Sequence, residues 1–241
     1  GSDAMTLTAG RFDWQGGTLF GPGSLTLQAG TLLQLAGDDT RTLERHVVVQ
    51  GQMAWTAGSV VGSGLLQVAP GGAASVQANG LFQPDLLLQG RFTVDAPGAV
   101  AHFNGAFTAE TDVRVRAGTL RLSGQGSSTA ALLVDANGTA DFAGGRFVFD
   151  GSGARLAGAG HALFSGGSVV FRNGATYGVL GSERIEGGTL ELAAGSLHSF
   201  NPGLVIAGGS LLLGTGQAVT LPADLRLKGG WLGGSDTRQI A

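Results

Sequence analysis

Four histidines, His46, His102, His161 and His198, and one charge-dense run, DDTRTLERH at 38–46, hold the side chains best suited to chemistry in this chain. No two of the histidines stand at metal-ligand spacing, and the absence of cysteine removes both thiolate zinc sites and disulfides. The charged run brings together Asp38, Asp39, Arg41, Glu44, Arg45 and His46. Cleavage of a polysaccharide would need two or three carboxylates, or a carboxylate with Lys or Arg, converging on one outer face. Charges of both signs in one short run predict instead a solvated loop in which they pair. Asp135, Asp141 and Asp150 fall near turns, where Asp bonds its own backbone. No GxSxG elbow precedes a helix, and GPG at 21–23 and GSG at 62–64 lack the helix and lysine of a phosphate loop.

The candidate binding residues are few: Asp38, Asp39 and Arg41 in the charged run, with Phe103 and Phe107 in an irregularly spaced stretch, where their rings could plug an interior or line a side groove. Trp14 and Trp55 hold equivalent places 41 residues apart, and the local alternation puts both inside. Facing outward they would form a sugar-stacking platform. No metal or other cofactor is expected. With 14 basic and 17 acidic residues, a net charge of -3 and no long basic run, nucleic acid and anionic membrane are not expected partners. No apolar run approaches the roughly 18–20 residues of a membrane helix.

These side chains must be positioned by elements, and the elements show themselves as a repeat. Gly166-Gly167, Gly187-Gly188, Gly208-Gly209 and Gly229-Gly230 recur every 21 residues. Each pair precedes a short piece: SVVF, TLEL, SLLL and WLGG. The first three alternate as a strand with one apolar face. Val169, Leu190, Leu211 and Leu232 fall in one column, and Phe171, Leu192 and Leu213 in a second. Two further columns follow, Val179, Phe200 and Leu221, then Ile185, Ile206 and Leu227, with Gly174, Gly195 and Gly216 marking a corner. One repeat thus holds three strands. In the N-terminal half, RFDWQGGTLFGPGSLTL (11–27) matches QMAWTAGSVVGSGLLQV (52–68) at 41, and VVVQGQMAW (47–55) matches LLLQGRFTV (86–94) at 39. Both offsets read as two turns. Spacing becomes irregular over 95–165, which predicts longer loops there.

Strands of four or five residues cannot stand alone, but three per turn can wrap an axis and stack at about 4.8 Å. The reading is an all-β parallel β-helix, a β-solenoid of about 11 turns of 20–22 residues, roughly 50 Å long. A right-handed sense is expected as the commoner form. Glycine, 45 residues of 241, supplies the corners. The opening GSDAM reads as an expression remnant, so residues 1–5 are set apart from a single domain over 6–241. The piece WLGG at 231–234 begins a winding that the sequence does not visibly complete, which suggests an excised fragment with bare strand edges able to stack end to end.

In LVIAGGSLLLG and DLRLKGGWLGG the chain resembles the β-helical passengers of bacterial autotransporters and haemagglutinin-like adhesins. The resemblance rests on rhythm and composition and carries over no functional residue. It implies a non-enzymatic, monomeric rod or stalk in a large extracellular or cell-surface protein. Two alternatives stay open: a module binding glycans or host proteins through a lateral face and loops, and a polysaccharide lyase or hydrolase. Ice binding would need regular outward threonine rows, and Thr18, Thr26, Thr31 and Thr42 do not form them.

Overall fold

Val169, Leu190, Leu211 and Leu232 lie side by side on four successive parallel strands, as do Phe171, Leu192 and Leu213. They belong to a computed structural model that describes residues 4–240. Gly1, Ser2 and Asp3 of the expected remnant, and Ala241, lie outside the described residues, whereas Met5 already begins a strand, Met5–Leu7. The described residues form a parallel β-solenoid of about 11 turns, without a helix.

Each winding visits three faces. The first begins with Met5–Leu7, Leu25–Leu27 and His46–Val49. The second begins with Gly10–Trp14, Thr31–Leu35 and Gln52–Trp55. The third begins with Gly17–Phe20, Arg41–Glu44 and Val60–Val61. Both N-terminal offsets resolve into two windings. Trp14 pairs with Leu35 and Leu35 with Trp55; Val47 pairs with Leu66 and Leu66 with Leu86.

Inward positions alternate with outward ones, so each winding adds a layer of apolar side chains to a single core. Each fully buried Leu or Ile there contributes roughly 1.5–3 kcal/mol. Trp14 and Trp55 are core residues, and the Trp55 indole donates to the carbonyls of Ala57 and Gly58 at 3.2 and 3.0 Å. Rings form a continuous spine along the axis: Trp55, Phe82, Phe103, Phe107, Phe147, Phe149, Phe171, Tyr177 and Phe200, with successive centroids 4.4–6.3 Å apart. Phe107 and Phe147 are not on adjacent windings. Gly126 lies between them in the ladder, and a Cβ there would sit 2.5 Å from the Phe147 ring. The missing side chain makes room for the neighbouring ring.

The glycine pairs are explained by close approach. A Cβ on Gly188 would lie 2.5 Å from the Gly166 carbonyl oxygen, and one on Gly209 2.1 Å from that of Gly188. Gly174, Gly195 and Gly216 each hold a positive φ, 89°, 77° and 82°, which turns the chain without Cβ strain.

Residues 95–165 depart from expectation. Instead of longer loops they contain the longest strands, Arg91–Phe103, Val113–Leu122, Ala131–Asp150 and His161–Arg172, which bend through the corners. The irregular spacing comes from bulges inside those bends, between Val94 and Val100, Val115 and Ala117, and Phe142 and Arg146. Windings also vary more than 20–22 residues: Ala73 pairs with Arg91, but Gly17 with Arg41.

The winding that starts at Trp231–Gly234 continues to a further strand, Arg238–Ile240, on the second face. That face is also where the ladder breaks. Leu197–His198 pairs only backward, to Thr176–Val179, and Val219–Leu221 pairs only forward, to Arg238–Ile240, in a separate two-stranded sheet.

Candidate binding site

Corners of a solenoid leave backbone amides pointing outward, and polar side chains from the adjacent winding meet several of them. Asp85 accepts from Ala106 N–H at 2.8 Å, Asp112 from Ala131 N–H at 3.0 Å, Asn79 from Val100 N–H at 3.1 Å and Asp224 from Gly203 N–H at 2.7 Å. Asp236 accepts from the amides of Thr215 and Gly216 and from the Thr215 hydroxyl. Partial desolvation pushes the Asp236 carboxyl up, but these bonds and nearby His198 hold it below the usual carboxylate range. The outward carboxylates singled out in the sequence are engaged in ion pairs. Arg114 grips Asp135 with Nε and Nη2, Arg121 meets Asp141 at 2.7 Å, and Arg172 meets Asp150 at 2.7 Å. Asp141 is buried and also accepts from Ser165 at 2.5 Å.

The charged run at 38–46 divides. Asp38 and Asp39 are exposed, as a solvated loop requires, but Arg41 is fully buried. Its guanidinium donates to five backbone carbonyls, those of Trp14, Ala36, Gly37, Asp39 and Ala57. Burial lowers its pKa, against the pull of Asp39. Arg41 is therefore a fastener of a corner with no donor free for a ligand. Phe103 and Phe107 are 3% and 2% exposed, members of the spine. They fill the interior and line no groove. The five sequence candidates are not brought together at the surface.

Three histidines have local partners. His46 Nε2 lies 3.0 Å from Gln67 Oε1, and His161 Nδ1 accepts from Ser182 N–H at 3.0 Å. His102 Nε2 lies 2.7 Å from Ser123 Oγ, and its pKa is lowered by burial and by Arg121 against the opposing pull of Asp141. Among the described residues, no three of His, Asp and Glu gather where they could hold a metal ion.

Two recesses open on the second face. One, of about 310 Å³, lies over the short side chains Ala73 and Ser75, between Gln52, Gln77, Arg91, Thr93, Asp95 and Arg116. It contains no aromatic ring. The Arg116–Asp95 pair across it is loose, at 4.0 Å.

The larger opening coincides with the broken ladder. Hollows of about 440 and 460 Å³ meet at Phe200 and Thr220. Ser196, Leu197, His198, Ser199, Gln217 and Ala218 line one; Pro202, Leu221, Pro222, Ala223 and Asp224 line the other. Phe200 is half-buried, with the His198 ring 5.1 Å away and Tyr177 5.9 Å beneath. Val179 and Leu221, expected in its column, are fully inside. Burial lowers the His198 pKa despite Asp236, which favours the neutral ring, a group able both to donate and to accept. Beneath lies Glu183, 1% exposed, accepting a 3.3 Å bond from Asn201 N–H. Burial pushes its carboxyl up to about 8. The Tyr177 hydroxyl is close enough to perturb it, yet neither that hydroxyl nor Glu183 Oε1 has a hydrogen bond of full geometry.

The sequence placed Phe200 in an inward column with Val179 and Leu221, whereas it is only half-buried. The available signal was the pair Pro202 and Pro222, which stand just past the two strands that do not pair with each other and have no amide proton for a ladder. No family model matches the chain, and no curated protein or solved structure matches it.

Proposed function

We propose that this chain is a non-enzymatic rod or stalk segment of a large bacterial extracellular surface protein. The observation that supports it most is the continuous core, in which one winding locks onto the next from Trp14 to Leu221 with the aromatic spine along the axis. Such a stack resists bending because every winding is hydrogen-bonded and packed against both neighbours. The outer carboxylates serve the same purpose, tying corners and arginines between windings. A spacer of this kind holds other parts of a protein at a fixed distance.

Antibodies raised against the folded segment test the placement. They should label intact cells of the producing bacterium. Labelling that appears only after lysis would overturn the reading.

A further inference from the structure

The opening at the broken ladder carries an inference beyond a rod. We propose that it is a binding site for a neutral saccharide, with one sugar ring stacked on Phe200 and its hydroxyls bonded by His198, Ser199, Gln217 and Thr220.

The aromatic spine ends at this point. Phe149, Phe171 and Tyr177 are fully buried, and Phe200 is the ring that emerges, lining both hollows. The frame around it is preformed. On the first face Leu192 still pairs with Leu213, and on the third Ile185 with Ile206 and Ile206 with Leu227. Only the second face opens, so the gap is held on both sides, and each hollow falls within the roughly 300–1,000 Å³ of small-molecule sites.

The lining selects the ligand. One hollow offers hydroxyl, amide and imidazole groups; the other offers Phe200, Pro202, Leu221, Pro222 and Ala223. A pyranose presents the matching pair of surfaces, an apolar C–H face and a polar rim. An acyl chain would leave the polar wall unpaired, which is costly on desolvation. An anionic ligand would meet no lysine or arginine in the lining, and would face Asp224, with Asp236 close to His198. The recess at Arg91 has the opposite character, two guanidinium groups and no ring.

Nuclear magnetic resonance titration of the ¹⁵N-labelled protein tests this. The probes are the methyl glycosides of glucose, galactose and N-acetylglucosamine, the disaccharides lactose and chitobiose, and sodium glucuronate as the acidic counterpart. At least one neutral sugar should give saturable shifts concentrated on amides 197–200 and 217–224. Phe200→Ala should weaken it roughly tenfold or more. Gln217→Ala, at an exposed position that leaves the core intact, should weaken it by a smaller factor. The proposal is overturned if no neutral sugar saturates, if shifts map to the Arg91 recess, if glucuronate binds as tightly as the neutral sugars, or if Gln217→Ala and Phe200→Ala both leave affinity unchanged.

Discussion

Phe149 and Phe171 stand on adjacent windings with ring centroids 4.4 Å apart and planes within 4° of parallel. The separation is close to the strand spacing, about 4.8 Å, so the register of the backbone ladder itself sets the stack. Replacing Phe171 with alanine should cost about 3–5 kcal/mol, the range for a truncated core ring. Repeat arrays need not unfold in one step, so hydrogen exchange is the better readout. Protection should fall around 147–149 and 189–192, while the windings at 25–55 keep theirs.

Gly209 tests the close packing of the corners. Its φ is not in the left-handed region, so Gly209→Ala acts by sterics alone, with a Cβ 2.1 Å from the Gly188 carbonyl oxygen and 2.6 Å from Ile185 Cγ2. Thermal denaturation should show a loss of about 1–3 kcal/mol. Gly216→Ala has open space but a φ of 82°, and should cost about 1–2 kcal/mol from backbone strain.

Arg41 joins strands on different windings through carbonyls from Trp14 to Ala57. Arg41→Met keeps much of the volume and removes all five donors. The orphaned carbonyls should make the variant less stable by about 3 kcal/mol or more. Lysine at this position should rescue only part, because an ammonium cannot reproduce the planar fork.

Glu183 predicts a pH dependence of stability. Its folded pKa, about 8, lies above the unfolded value, so between about 4.5 and 8 the folded state holds more protons than the unfolded one. Stability therefore falls as pH rises through that window, and the cost is complete above it. Glu183→Gln should raise the melting temperature at pH 9 and change it little at pH 4. An equal effect at both would contradict a buried carboxyl with a raised pKa.

Much of this architecture was legible where windings keep one length. From Gly166 to Gly234 the 21-residue period places the columns of the first and third faces correctly, Val169 over Leu190 and Ile185 over Ile206. Where bulges lengthen or shorten a winding, simple spacing misleads. Counting on from Asp13, Ala54 and Thr93 to Arg121 and Val148 slips from the second face to the third and then to the first. The burial of Arg41 was hidden because its acceptors are main-chain carbonyls, which carry no sequence signature. Phe103 and Phe107 looked available because their stretch looked like loops. The opening at Phe200 depends on a pairing that fails between two windings, and a column of apolar residues does not reveal whether its ladder is closed.

The central claim is that each winding advances the chain by one strand spacing. Gln67, Leu87, Thr108, Ser127, Val148, Val170 and Glu191 form one row on the first face, each paired with the next, with Val148 and Val170 buried and the others better suited to labels. Spin labels on cysteines placed pairwise along this row in the cysteine-free chain give the distances directly. Separation should grow linearly by about 4.8 Å per winding, to roughly 29 Å between positions 67 and 191. Distances that fail to rise with winding number, or that scatter without order, would contradict the stacked solenoid.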